Sequence, residues 1–366
     1  MAQGIDFSPG GRRIGSRSRR QGGARGSGGG NVRTLITGGA GFIGSHLAEE
    51  LLHRGHRVAI LDDLSTGARE NIEPLVGRDE VRFVKSTVLD ERIVRSLVEE
   101  VDMVFHLAAA GGGEMEHRPL RGIQVNVRGT ENVLEACARA GRRVLVASSS
   151  EVYGKDARGP FREEEDLLLE GPTARRWGSA YSRVLGEVLA MAYHVEKGLP
   201  AIVVRFFDVC GPQRGARRAD AMARFVCQAL RGEPLTLSGD GKQVRSFADV
   251  SDAVEAVLGL AAHPGAVGQV FNVGSPEEVT LETLALKIQA MAGSRSRLAY
   301  VAPGGETADS GEAVRYRVPD ISKMRNLTGY VPRVPLDEIL RRVIVHTAAA
   351  LGAPGAPSGP RAARVA

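Results

Sequence analysis

The chain is poor in several residue types, and each shortage excludes something. Its 366 residues hold three cysteines, Cys137, Cys210 and Cys227, too few and too scattered for a disulfide framework or a Cys-x-x-Cys metal clip. A reduced, cytoplasmic protein is expected. Apolar runs are short, as at residues 144–147 and 201–204, far below the ~20 residues that cross a bilayer, so no membrane span is expected. Lysine is scarce: six stand against 42 arginines, and none lies between Lys155 and Lys197. His46, His53 and His56 cluster around one helix with no acidic or cysteine partner at ligand spacing. They read as surface histidines, and no metal site is expected.

What is present is a length that suits roughly two domains and 43% apolar residues, enough for a substantial core. The formal charge of +5 is unevenly placed. Residues 1–30 carry Arg12, Arg13, Arg17, Arg19, Arg20 and Arg25 against Asp6, and Arg361 and Arg364 close the chain, so the body between is slightly acidic. Residues 1–31 and 346–366 have the Gly, Ser, Ala, Pro and Arg composition of disordered tails. The twin arginines lack a following apolar stretch, which argues against a secretion signal. One reading of the leader is that translation starts near Val32. Nucleic-acid binding through these arginines is disfavoured, because Phe7 is the only aromatic residue among them available to stack on bases.

Between the tails, short apolar runs alternate with amphipathic stretches. Strands are expected at 32–37, 57–61, 81–84, 103–107, 143–147 and 201–206, and helices at 44–54, 91–99, 122–140 and 179–197. This rhythm implies an α/β, Rossmann-type, doubly wound parallel sheet with helices on both faces. A nucleotide-binding domain is expected over 32–207 and a smaller C-terminal substrate-binding lobe over 208–345. A strand near 270–273 is expected to rejoin the first sheet.

The phosphate-binding turn lies between the first strand and first helix: Thr37-Gly38-Gly39-Ala40-Gly41-Phe42-Ile43-Gly44. Gly38 permits the tight turn, Gly41 lets backbone reach a pyrophosphate, and Gly44 allows close packing of the helix. The free N–H groups at the helix start then hold the anion, with Phe42 and Ile43 beside it. The second strand ends in Asp62-Asp63, about twenty residues on, where a carboxylate can accept from ribose hydroxyls and would repel a 2′-phosphate. NAD is therefore expected rather than NADP.

These motifs, with Leu61-Asp-Asp-Leu-Ser-Thr-Gly67, His106-Leu-Ala-Ala109, Asn126-Val-Arg-Gly-Thr130, Ser148-Ser-Ser-Glu-Val-Tyr-Gly154, Arg205-Phe-Phe-Asp-Val-Cys-Gly-Pro212, Gly239-Asp-Gly-Lys-Gln-Val-Arg-Ser-Phe247 and Val318-Pro-Asp-Ile-Ser-Lys323, resemble the extended short-chain dehydrogenase/reductase family acting on nucleotide sugars. The resemblance runs over nearly all of 32–345. It implies that Leu107, Ala108 and Ala109 line the nicotinamide side of the cleft and that Ser149 hydrogen-bonds the sugar C4 oxygen. Glu151 would assist elimination or decarboxylation, and Arg245 and Arg317 would clamp the nucleotide diphosphate, as guanidinium forks suit phosphate. It also implies a homodimer built on the helices near 122–140 and 179–197.

The pattern departs from the family where chemistry would occur. Related chains carry Tyr-x-x-x-Lys, the tyrosine as base and the lysine on the nicotinamide ribose. Tyr181 is followed four residues on by Leu185, whereas aligning Arg176-Trp177 and Glu187 puts Ser179 at the tyrosine and Arg183 at the lysine. Two residues along a helix turn about 200° and four about 40°, so Ser179 and Arg183 share the expected face while Tyr181 does not. Losing a positioned base typically costs ~10²–10⁴ in rate, about 3–5.5 kcal/mol. Glu151, Asp208 and a repositioned Tyr181 are the candidates to supply one. Asp208 stands where the family usually has asparagine near sugar and phosphate, and Ser86-Thr87-Val88 where it usually has Gly-Asp-Val or Gly-Asp-Ile against adenine.

The expected activity is modification of a nucleotide-diphosphate sugar through transient C4 oxidation on NAD. A 4-epimerase is placed first as the commonest type with this pattern, with a glucuronate-type decarboxylase or a 4,6-dehydratase as alternatives. Ser-Ser-Ser-Glu resembles decarboxylases and related epimerases more than dehydratases, which usually place Asp before Glu. A reading from another class is a protein that binds NAD and nucleotide sugar without turnover, motivated by Ser179 and Arg183.

Overall fold

The computed structural model describes residues 5–7, 31–154, 159–171, 177–213, 221–302 and 314–352. Its frame comes from the apolar runs, which pair as parallel strands: β1 (Arg33–Thr37), β2 (Arg57–Asp62), β3 (Val81–Lys85), β4 (Met103–His106), β5 (Arg143–Ser149) and β6 (Ala201–Phe206). The intervening amphipathic stretches form α1 (Phe42–His53), α2 (Arg69–Ile72), α3 (Glu91–Glu99), α4 (Gly112–His117), α5 (Pro119–Gln124), α6 (Thr130–Ala140) and α7 (Gly178–Lys197). Local signals set the boundaries. Asp90 caps α3 by accepting from the N–H groups of Arg92 and Ile93, and α7 stops at Gly198, which takes the left-handed conformation.

Beyond β6 the chain builds the second lobe. It contains β7 (Val209–Cys210), α8 (Ala221–Arg231), β8 (Leu235–Ser238), β9 (Val244–Ser246), β10 (Ala248–Asp249), α9 (Val250–Ala262), β11 (Gln269–Val273), β12 (Glu278–Thr280), α10 (Leu281–Met291), β13 (Leu298–Val301), β14 (Tyr316–Arg317), α11 (Ser322–Thr328) and α12 (Leu336–Leu351). As expected, β11 returns to the first domain. The seven-stranded sheet runs β11-β6-β5-β4-β1-β2-β3, and the order of strand addition reverses between β1 and β4, which are parallel. In such sheets the crevice beyond the strands' carboxyl ends at this switch is where ligands bind. Helix α9 also belongs to the first domain: Ala253, Val257 and Leu260 pack with Leu47 and Leu51 of α1 on one face of the sheet. The lobe core is separate, formed by α8, α10 and α12 around Phe225, Leu284 and Leu340.

Three sequence expectations are corrected. The leader is not wholly free of structure, because Ile5–Phe7 dock on the main core. Phe7 is 3% exposed, its ring edge-on to His56 at 5.5 Å and tilted against Phe105 at 6.0 Å, and its carbonyl accepts from Arg54. An aromatic in an otherwise glycine- and arginine-rich segment gains from burial wherever an apolar site is open to it. His56, read as a surface histidine, is consequently buried. At the other end, α12 runs through Leu351, into the stretch read as tail, and buries Ala348. Alanine repetition there is helix propensity rather than low complexity. Residues 8–30 and 353–366, also read as tails, lie outside the described residues. Among the described residues no helix is long and apolar enough to cross a membrane.

Candidate active site

The strand ends and the glycine turn enclose a cleft of about 490 Å³. Its floor is the turn after β1. Gly38 has φ +71°, and a Cβ on it would sit 2.7 Å from the backbone nitrogen of Ala108. A Cβ on Gly44 would lie 2.4 Å from the Gly38 carbonyl, so this glycine lets α1 close on the turn itself rather than on the strand. Gly41 is the N-cap of α1, in extended conformation with no side-chain cap. The first N–H groups of α1 thus meet the cleft, as anion binding requires. Gly38, Gly41, Phe42, Ile43 and Gly44 all line it, as do Leu107, Ala108 and Ala109.

Asp62 and Asp63 line the cleft where β2 ends. Asp62 accepts from the N–H groups of Ala40 at 2.9 Å and Leu64 at 2.8 Å, fastening the glycine turn to the end of β2. Burial raises its pKa, opposed by those two N–H donors. Asp63 accepts from the N–H of Ser65 and from Arg121, which also donates to Glu114 at 3.1 Å. Ser86, Thr87 and Val88 line the same end, so the hydroxyl-bearing substitute for the family's Gly-Asp pair does reach the cleft.

Beneath the turn, His106 is fixed between two threonines. Thr130 donates to the Asn126 carbonyl at 2.6 Å, so its oxygen accepts from His106 Nε2 at 2.9 Å, and Thr37 donates to Nδ1 at 2.8 Å. These roles belong to the neutral imidazole, the form that burial favours. Burial, reinforced by the charge of Arg183, pushes its pKa down to about 4. Asn126 lies in a π-helical segment, Val125–Gly129, joining α5 to α6, and there it bonds both backbone groups of Ala110 and donates to Ser182 Oγ on α7.

The reaction end is made by β5 and α7. Ser149 closes β5 and caps the turn carrying Glu151, accepting from the Glu151 N–H at 3.2 Å. Ser179 and Arg183 both line the cleft, whereas Tyr181 is 39% exposed on another face and donates to the Glu170 carbonyl. Ser179 and Arg183 thus share the cleft face of α7, and Tyr181 stands outside the described lining. Ser179 Oγ donates to Glu151 Oε2 at 3.0 Å. Burial lowers the pKa of the Arg183 guanidinium, opposed by the carboxylates of Glu151 and Glu187, and its Nε is buried with no hydrogen-bond partner among the described residues. Glu187, one turn on, is bound to Arg205 at 2.8 Å, both nearly sealed from solvent. That pair ties α7 to β6.

Of the three expected substrate residues, Asp208 and Arg317 line the cleft. Arg245 does not: it pairs in register with Arg317 across β9 and β14, and its guanidinium is turned onto the carbonyls of Val244 and Val314. Arg245 therefore stands beside Arg317 but outside the described lining of the cleft. Sequence reasoning missed Glu114, Ser65, Thr66 and Gln213, which also line the cleft. Ser65 and Thr66 stood within a quoted motif, but Glu114 and Gln213 carry no local signal.

A parallel sheet with its cleft at the switch point, a glycine turn feeding a helix N-terminus and an acidic end to β2 define a dinucleotide-binding oxidoreductase scaffold. The residues fit NAD: the turn leaves room only for backbone against a phosphate, and a ligand oxygen would satisfy the buried Arg183 Nε. The profile of the NAD dependent epimerase/dehydratase family matches residues 34–274. The chain belongs to that family. It is an NAD-dependent, nucleotide-sugar-modifying enzyme. It is 38% identical over 315 residues to a UDP-N-acetyl-alpha-D-glucosaminuronate decarboxylase of Bacillus cytotoxicus, covering 85% of this chain and 96% of the relative. It is 34% identical over 313 residues to UDP-glucuronic acid decarboxylase 1 of Xenopus tropicalis, covering 85% and 71%. Among solved structures, the UDP-glucuronic acid 4-epimerase of Bacillus cereus, in complex with UDP-glucuronic acid and NAD, superposes with a TM-score of 0.76 at 27% identity, covering 86% and 98%.

Proposed function

We propose that the protein is a decarboxylase of a UDP-hexuronate that works through transient oxidation at C4. The observation that carries this reading is the 38% identity to a UDP-hexuronate decarboxylase along 96% of that relative's length. It favours the decarboxylase over the 4-epimerase that sequence motifs alone placed first. NAD, when bound, supplies reversible hydride acceptance at the sugar C4. The rest is ordinary carbonyl chemistry: a C4 ketone is β to the C6 carboxylate, so the C5–C6 bond can break with its electron pair drawn toward the C4 oxygen. Carbon dioxide leaves, a solvent proton replaces it at C5, and the hydride returns to C4.

In this reading Ser149 hydrogen-bonds the C4 oxygen, Arg183 takes the nicotinamide ribose, and Asp208 and Arg317 face the nucleotide sugar. Asp62 and Asp63 recognise the adenosine ribose and its surroundings. We also propose that two copies pair through the exposed apolar stripe of Tyr181, Leu185 and Val188 on α7 with Leu120 and Ile123 on α5. A reducing cytoplasm suits three cysteines held as thiols rather than disulfides. The test is incubation with NAD and either UDP-glucuronate or UDP-N-acetylglucosaminuronate, with products separated by chromatography that resolves C4 epimers and then weighed by mass spectrometry. Loss of one carbon dioxide is expected. Recovery of the intact hexuronate as its C4 epimer would replace this reading with the epimerase, and absence of both product and enzyme-bound NADH would leave a binding protein.

A further inference from the structure

A serine hydroxyl by itself is a feeble base, and serine nucleophiles and acceptors work only with a second group that takes the proton onward. The structure supplies that group. Ser179 is 4% exposed and lines the cleft, and its hydroxyl donates to Glu151 Oε2, 3.0 Å away. We propose that Ser179 and Glu151 together replace the missing tyrosine, Ser179 Oγ accepting the C4 hydroxyl proton of the sugar while passing its own proton to the Glu151 carboxylate. This rests on the nucleotide-sugar reading above, but only on its C4-oxidation step.

The surroundings hold the pair in register. The Ser182 hydroxyl donates to the Ser179 carbonyl at 2.8 Å and accepts from Asn126 Nδ2 at 2.9 Å, so the first turn of α7 is pinned to the π segment. Glu151 is presented by the turn that Ser149 caps. Arg183, one helical turn beyond Ser179, faces the same carboxylate with a positive charge.

The step balances. The C4 O–H proton moves to Ser179, the Ser179 proton moves to Glu151, the C4–H leaves as hydride to NAD, and the C4–O bond becomes a carbonyl. Glu151, now protonated, returns its proton through Ser179 to the C4 oxygen when the electron pair of the broken C5–C6 bond arrives there. The pair takes it back as the ketone reforms, and returns it finally with the hydride. Ser179 is the catalytic residue, since it would touch the reacting oxygen, and Glu151 acts through it.

Single-turnover formation of enzyme-bound NADH from NAD and UDP-glucuronate reads the oxidation step directly. Ser179→Ala should slow it ~10²–10⁴-fold, the usual worth of a positioned base. Ser179→Thr, which keeps the hydroxyl, should retain most of the rate. Glu151→Gln should match Ser179→Ala, and the double variant should be no slower than the slower single, because groups acting as one unit are non-additive. NAD affinity and melting temperature, followed in parallel, separate lost chemistry from lost folding. A native oxidation rate in a folded Ser179→Ala variant, or losses that multiply in the double variant, would overturn the relay. Product identity is read separately: a retained carboxylate would sink the decarboxylase reading while leaving the relay to be judged on NADH formation.

Discussion

The two ends of the cleft achieve their geometry by different means. At the glycine-turn end, contacts are made by backbone: N–H groups of α1, the left-handed Gly38, and Asp62 bonded to the N–H groups of Ala40 and Leu64. At the α7 end, contacts are made by side chains: Ser179 on Glu151, Asn126 on Ser182, and Arg205 on Glu187. A backbone device depends on the space around a few glycines and keeps its form when neighbouring side chains change. A side-chain device can be rebuilt from other residues, provided the new groups reach the same place with matching proton chemistry. Ser179 and Arg183 in place of tyrosine and lysine occur at the second kind of end.

The contrast can be broken experimentally. Its largest test is the paired change Ser179→Tyr with Arg183→Lys. If the α7 end is a re-tooled device, this change removes the hydroxyl that Glu151 serves and should lower C4 oxidation by at least ~10²-fold, with NAD affinity preserved. A rise in activity would mark the native residues as a decayed version. Next, Glu187→Ala leaves Arg205 buried without its partner and should destabilise the fold by about 3–5 kcal/mol in urea titrations. A small loss would show that α7 is held by packing alone.

The third test concerns His106. Its folded pKa of about 4 lies below the ordinary 6.5, so the unfolded chain binds its proton first as pH falls. Stability from this group is complete above pH 6.5 and declines toward pH 4, by up to about 3 kcal/mol. Comparison of native and His106→Gln denaturation midpoints at pH 7 and 4.5 reads it, and parallel pH dependences would refute it. The last test is Gly38→Ala. Strain at φ +71°, with the new Cβ 2.7 Å from the Ala108 backbone nitrogen, should weaken NAD binding at least roughly tenfold, leaving the oxidation rate at saturating NAD unchanged. A fall in that rate would mean that the two ends are coupled.

Much of this was legible before the structure. Helix α3 and strand β6 fall at their expected residues, and the return of β11 to the sheet was foreseen from its apolar run. The choice of Ser179 and Arg183 over Tyr181 and Leu185 came from aligning Arg176-Trp177 and Glu187 with the family pattern, helical angles showing that the two registers face different ways, and Tyr181 is exposed. Other features left no mark in local pattern. Phe7 looked like part of a tail because its burial depends on His56 and Phe105, which are remote in sequence. Arg245 looked equivalent to Arg317, since both are arginines at motif positions. What separates them is the direction of one guanidinium toward the carbonyls of Val244 and Val314.

The sequence by itself determined the sheet, the cofactor turn and the absence of tyrosine and lysine from α7, because periodicity, glycine spacing and residue identity are local properties of a chain. Only the tertiary structure decided that Ser179 has a partner. Glu151 is 28 residues away in sequence, and the 3.0 Å bond between them exists because β5 ends and α7 begins at the same cleft. A hydroxyl acquires proton chemistry from its neighbours, and neighbours across a sheet are a consequence of folding.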